Sequence, residues 1–165
     1  GVWVEQPTPL TGTRVLSLWG SGPRDVFAGG VGEVVHFDGQ AWAQQPLPQP
    51  VVDGQLFIYS LWGRGPTDVF GVGEAGLILH YDGQAWSTMT SGTTAFLNAV
   101  DGTGPDDVWV VGEGGLVLHY DGFSWQRVPT NVTQELSGVS ASRTRVIAVA
   151  PGTADLLVVR DRRRW

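Results

Sequence analysis

Tryptophan recurs along this chain with a period near forty residues: Trp3, Trp42, Trp86, Trp125 and Trp165 follow one another at separations of 39, 44, 39 and 40. A period of that length marks a supersecondary unit that cannot bury its apolar face alone, so successive copies must stack to make a core. Other residues keep the same register. His36-Phe37-Asp38-Gly39, His80-Tyr81-Asp82-Gly83 and His119-Tyr120-Asp121-Gly122 each precede a Trp by two residues. Further upstream lie Gly22-Pro23-Arg24-Asp25-Val26-Phe27, Gly65-Pro66-Thr67-Asp68-Val69-Phe70 and Gly104-Pro105-Asp106-Asp107-Val108-Trp109.

Within a unit the apolar runs are short, rich in β-branched and aromatic residues, and separated by Gly, Pro and Asp, which reads as strands joined by tight turns. In the third unit they are Phe96–Val100, Asp107–Val111, Leu116–Tyr120 and Ser124–Val128. Four antiparallel strands in about forty residues make one propeller blade. The expected fold is therefore all-β: a β-propeller of four blades, each of four antiparallel strands, in a single domain spanning 1–165. The blade units are 10–48, 54–91, 95–130 and 136–165 with 1–7. The 24 Gly and 10 Pro argue against a helical protein, and the 8 Trp with 42 % apolar residues argue against a disordered one.

The turns have separate tasks. Gly-Pro-x-Asp suits a type I turn between the first and second strands, because Pro presets φ and the carboxylates of Asp25, Asp68 and Asp107 can accept backbone N–H bonds. Asp38, Asp82 and Asp121 stand before the glycine of a hairpin turn, and Trp42, Trp86 and Trp125 open the outer strand with an indole for the neighbouring blade. In the fourth unit Val159 replaces the His and Arg162 the turn Gly. Gly1–Gln6 resembles an outer strand, so the N-terminal strand is expected to close the last blade and hide its edge. Two alternatives are a pairing of two chains, giving a homodimer, and a longer array of which this is a part.

The run Trp-Gly-x-Gly-Pro-x-Asp-Val-Phe, Val-Gly, His-Tyr-Asp-Gly-x-x-Trp resembles bacterial propeller repeats of secreted proteins and lipoproteins. Its Asp-Gly-x-x-Trp part is distantly similar to the Asp-box, or BNR-like, repeat of sialidase-type propellers. The resemblance implies a propeller and an extracellular or cell-envelope location in a bacterium; it implies no reaction. The use of Arg and no Lys for all ten basic residues agrees with a GC-rich coding sequence.

A net charge of −6 and pI near 4.8 disfavour a phosphate backbone, so nucleic acid is not an expected partner. No apolar run approaches the roughly 20 residues of a membrane span. With no Cys, a thiolate metal site and a cysteine nucleophile are excluded. Each His-x-Asp puts His36 with Asp38, His80 with Asp82 and His119 with Asp121 on one side of a strand. Blade rotation should keep these pairs apart, so they are read as structural hydrogen bonds and no metal or cofactor is expected. Arg162-Arg163-Arg164 is read as a solvated basic end.

Binding is expected on the face that carries the connections between blades and those between second and third strands, since loops on a rigid scaffold are where recognition resides. Ala43–Gln55 holds the extra residues of the 44-residue interval and three prolines, and is expected to run extended, presenting Gln45, Leu47 and Gln49. Glu74 and Glu113 match each other on that face, whereas Glu33 falls level with Leu77. Trp19 and Trp62, at the end of the first strand, either stack on a ligand or fill space between blades. The leading function is a non-catalytic module binding protein or carbohydrate. The alternative is a structural unit that oligomerises through blade edges. A hydrolase or lyase using the loop carboxylates is the least supported.

Overall fold

The computed structural model describes residues 2–11, 14–54, 56–152 and 156–161, the last stretch as backbone. The molecule is a four-bladed β-propeller. Blade one is β1 (Ser17–Gly22), β2 (Asp25–Gly29), β3 (Val34–Phe37) and β4 (Trp42–Gln45). A short helix, α1 (Gln49–Gly54), leads into blade two: β5 (Ile58–Gly65), β6 (Asp68–Gly73), β7 (Ile78–Tyr81) and β8 (Trp86–Met89). Blade three is β9 (Leu97–Gly104), β10 (Asp107–Gly112), β11 (Val117–Tyr120) and β12 (Trp125–Arg127). Blade four is β13 (Gly138–Ala141), β14 (Arg145–Ala150) and β15 (Leu156–Asp161). Within every sheet neighbours in sequence are neighbours in space and run antiparallel.

The core lies between blades. Phe27 and Val34 of blade one close on Ile58, Leu61 and Val69 of blade two. Phe70, Val72 and Ile78 of blade two close on Leu97, Val100 and Val108 of blade three. Trp109, Val111 and Val117 of blade three close on Leu136, Val146 and Ala148 of blade four. Strands β6 and β10 are buried along nearly their whole length because neighbours cover both faces. Two of the three outer tryptophans bridge as the sequence suggests: Trp86 stands edge-on to Phe27 at 6.0 Å and Trp125 edge-on to Phe70 at 6.2 Å, whereas Trp42 packs on Phe37 of its own blade.

Two expectations need correction. The N-terminal segment does not close the last blade: residues 2–10 form no strand, Trp3 is fully exposed, and blade four has three strands among the described residues. Instead the Trp42 Nε1–H donates to Gln6 Oε1 at 3.2 Å, so the segment lies along the outside of blade one. Pro7 and Pro9 have no N–H to give a ladder, which suits a strap better than a strand. Gly1, Trp165 and Arg162–Arg164 lie outside the described residues. The second correction concerns the long connection, which is not extended throughout. Pro50 is compatible with the first turn of a helix, and α1 uses it there to drive Val51 fully into the core between blades one and two.

Candidate functional site

The repeated histidines make the same contact in three blades, and it is not the one their local spacing suggests. His36 Nε2 lies 2.6 Å from Asp25 Oδ1, His80 Nε2 2.8 Å from Asp68 Oδ1, and His119 Nε2 3.0 Å from Asp107 Oδ1. Cross-strand register explains this. Phe27 pairs with His36, Phe70 with His80 and Trp109 with His119, so each imidazole faces the carboxylate two residues before its partner. The rings stack there as well, His36 on Phe27 at 4.2 Å and His119 on Trp109 at 4.2 Å. The second carboxylate oxygen accepts from Ser21, Arg64 or Thr103 near the end of the preceding strand. In blades one and three aspartate therefore stands between the imidazole and a hydroxyl, the reverse of the order that activates a nucleophile, and in blade two its other partner is the Arg64 guanidinium.

Asp38, Asp82 and Asp121 do something else. Each Oδ1 accepts two backbone N–H groups, from Gln40 and Ala41, Gln84 and Ala85, and Phe123 and Ser124, all within 2.8–2.9 Å. These bonds favour the charged form and hold all three carboxyls below the ordinary aspartate value. The glycines that follow, Gly39, Gly83 and Gly122, adopt φ of 94°, 92° and 92°, as the hairpin requires. Among the described residues no three His, Asp or Glu side chains gather as a metal-holding group, and no helix is long and apolar enough to cross a membrane.

The loop acids brace strand entries. Glu74 accepts from the Phe57 N–H at 3.3 Å and from the Tyr59 hydroxyl at 3.0 Å; burial, then this carboxylate, raises the Tyr59 pKa. Glu113 accepts from the Phe96 N–H at 3.5 Å. Glu33 occupies the position of Leu77 and Leu116, since Gly30, Gly73 and Gly112 donate to their respective carbonyls. Its buried carboxylate takes the Thr11 hydroxyl at 2.8 Å and so ties down the N-terminal strap. The three acids thus serve separate blades and do not converge.

Trp19 and Trp62 sit between blades. A Cβ on Gly63 would come within 2.8 Å of the Trp19 ring, and one on Gly102 within 2.6 Å of the Trp62 ring, so each indole lies over a glycine of the next blade. Both remain half-buried. The remaining three candidates do come together. Gln45, Leu47 and Gln49 line a groove of about 590 Å³ on the loop face, against Gly32 and Glu33 from the β2–β3 connection. Leu47 also rests on the core beneath. The groove's other walls include Thr11 and Val52, which the sequence does not single out, and Glu33, which the sequence sets level with Leu77 and apart from the other loop acids. The signal for the place was the 44-residue interval; which outside residues would meet it was not encoded locally.

No family model matches the chain, and neither does any curated protein. Solved propellers do. YCF48 bound to D1 peptide superposes with a TM-score of 0.70 at 19 % identity, over 94 % of this chain and 53 % of that one. YCF48 from Cyanidioschyzon merolae gives 0.66 at 16 % identity, over 93 % and 58 %. The computationally designed Ika4 protein gives 0.71 at 15 % identity, over 96 % and 99 %. The chain thus spans a little over half the length of the YCF48 structures and nearly all of the designed one. At these identities the likeness is one of fold.

Proposed function

We propose that this propeller is a non-catalytic interaction module that takes a peptide segment of a protein partner in the groove beside α1. The observation that carries the reading is that the lengthened connection between blades one and two folds back as α1 and, with the β2–β3 loop, walls a groove on an otherwise regular scaffold. Its walls mix amide and carboxylate groups (Gln44, Gln45, Gln49, Glu33) with the apolar Leu47 and Val52. That mixture suits a polypeptide, whose backbone needs donors and acceptors and whose side chains need apolar contact. Among the described residues no aromatic ring lines the groove, which favours a peptide over a carbohydrate, because sugars are usually held against a ring face. The wall carboxylate among the described residues, Glu33, is engaged by Thr11, and the reading is accordingly one of binding rather than catalysis. A propeller neighbour bound to a peptide agrees with it. The resemblance to repeats of secreted bacterial proteins adds an extracellular or envelope setting to the proposal.

The test is selection of a random peptide library on the immobilised chain, run beside a glycan array. Selected peptides should lose at least about tenfold in affinity on Gln45→Arg or Val52→Arg and keep it on Trp19→Ala. Glycan hits with no peptide hits, or peptides indifferent to both groove substitutions, would refute the reading.

A further inference from the structure

Blade one shows a face that its successors bury. Val15 occupies the position of Ile58, Leu97 and Leu136, and Leu18 that of Leu61 and Val100. Val15 is 46 % and Leu18 65 % exposed, whereas all five counterparts are buried against the preceding blade. Trp42 tells the same story. Trp86 and Trp125 pack edge-on to a phenylalanine of the blade before, but Trp42 is half-buried on its own blade's Phe37 and bonded to Gln6.

The opposite deficit stands at the other end of the stack. Register places Val149 level with Val72 and Val111, since Ser60 pairs with Val72, Ala99 with Val111 and Gly138 with Val149. Val72 and Val111 are buried by the following blade; Val149 is 41 % exposed. Three apolar clusters join the blades in sequence, each formed when the forward face of one blade meets the rear face of the next. The rear face of blade one, exposed at Val15 and Leu18, and the forward face of blade four, exposed at Val149, match among the described residues as the two halves of one more such junction.

We infer that a second copy of this chain supplies the missing halves. The forward face of blade four in each copy covers the rear face of blade one in the other. The occupant is a second copy because the surface that fits a blade's rear face is a blade's forward face, and among the described residues blade four presents one, with Val149 exposed. Two head-to-tail junctions close two four-bladed chains into a ring of eight, inside the range of about four to eight blades that propellers adopt.

Light scattering on the purified chain at about 100 μM should give the mass of two chains, a concentration high enough to populate a micromolar pair. Leu18→Arg and Val149→Arg each place a charge on an exposed position, so the fold should survive, as unchanged circular dichroism would confirm. Each variant alone should fall to the mass of one chain, because every junction it forms contains a substituted face. An equimolar mixture of the two should regain pairs, since one junction then joins two unaltered faces. A single-chain mass for the unsubstituted protein would assign the cover to other blades and overturn the inference. Pairs that persist in both variants, or a mixture that stays single, would overturn it equally.

Discussion

His80 Nε2 lies 2.8 Å from Asp68 Oδ1, joining the third strand of blade two to the first residue of its second strand. The carboxylate has further work, since its other oxygen accepts from Arg64 Nε at 3.3 Å. Asp68 is only 16 % exposed, so the imidazole it satisfies would lose its protein partner in a site with limited access to water. Asp68→Ala is expected to cost about 1–3 kcal/mol, the usual penalty for stranding a part-buried polar group, and Asp68→Asn less. Urea melts of the two variants measure the difference. Equal stability of Asp68→Ala and the parent would show the contact to be ornamental.

Acid should weaken this fold through its turns. Backbone N–H groups hold Asp38, Asp82 and Asp121 below the ordinary value of 3.8. Asp25 joins them: burial alone would raise it, but hydrogen bonds from Ser21 and His36 and the charge on His36 outweigh that. A group whose pKa is lower folded than unfolded stabilises the fold above its unfolded pKa and loses that contribution as pH falls through the folded one. Thermal midpoints should therefore hold steady down to about pH 4 and decline below it. Asp82→Asn keeps an oxygen for the turn and should make that decline shallower, a change that parallel melts across the acid range would reveal.

Gly102 has no room for a side chain. A Cβ there would stand 2.6 Å from the Trp62 ring and 2.8 Å from the Asp107 carbonyl oxygen. Gly102→Ala should destabilise by about 1–3 kcal/mol, the range for overpacking. Trp62→Leu in the same chain should recover part of that, which a double-mutant cycle on denaturation free energies would measure. Full additivity would mean that the ring can swing away without cost.

Val51 decides whether α1 is a spacer or part of the core. Its side chain is fully buried among residues of blades one and two. Val51→Ala is expected to cost about 2 kcal/mol, as large-to-small core changes do, and to raise hydrogen exchange in 49–54 before the strands respond. Val52→Ala, on the exposed side of the same helix, should leave stability within about 0.5 kcal/mol of the parent.

How much of this was legible in the residues follows from the range of each interaction. Blade number, strand order, the hairpin turns at Asp38, Asp82 and Asp121, and the bridging of Trp86 and Trp125 are consequences of periodicity and turn chemistry, which act over a few residues and repeat. For Trp19 and Trp62 the sequence offers inter-blade packing as one of two readings, and its cause, the glycines at 63 and 102, lies about forty residues away. The histidine contacts are long-range in the same sense. Spacing of two along a strand pointed to Asp38, whereas the antiparallel partner strand brought Asp25 to His36.

By itself, then, the sequence determined a stack of four like blades and the place where the repeat is interrupted, because hydrophobic period, β-propensity and glycine turns are local. Only the tertiary structure decided that the N-terminal segment lies along blade one rather than completing blade four, that the proline-rich connection plugs the core with Val51, and that Glu33, Gln45 and Gln49 share a groove. It also decided that Val15, Leu18 and Val149 stay uncovered. Those outcomes depend on which surfaces meet after the blades have stacked, and a side chain's own residue type is the same whether its partner arrives or not.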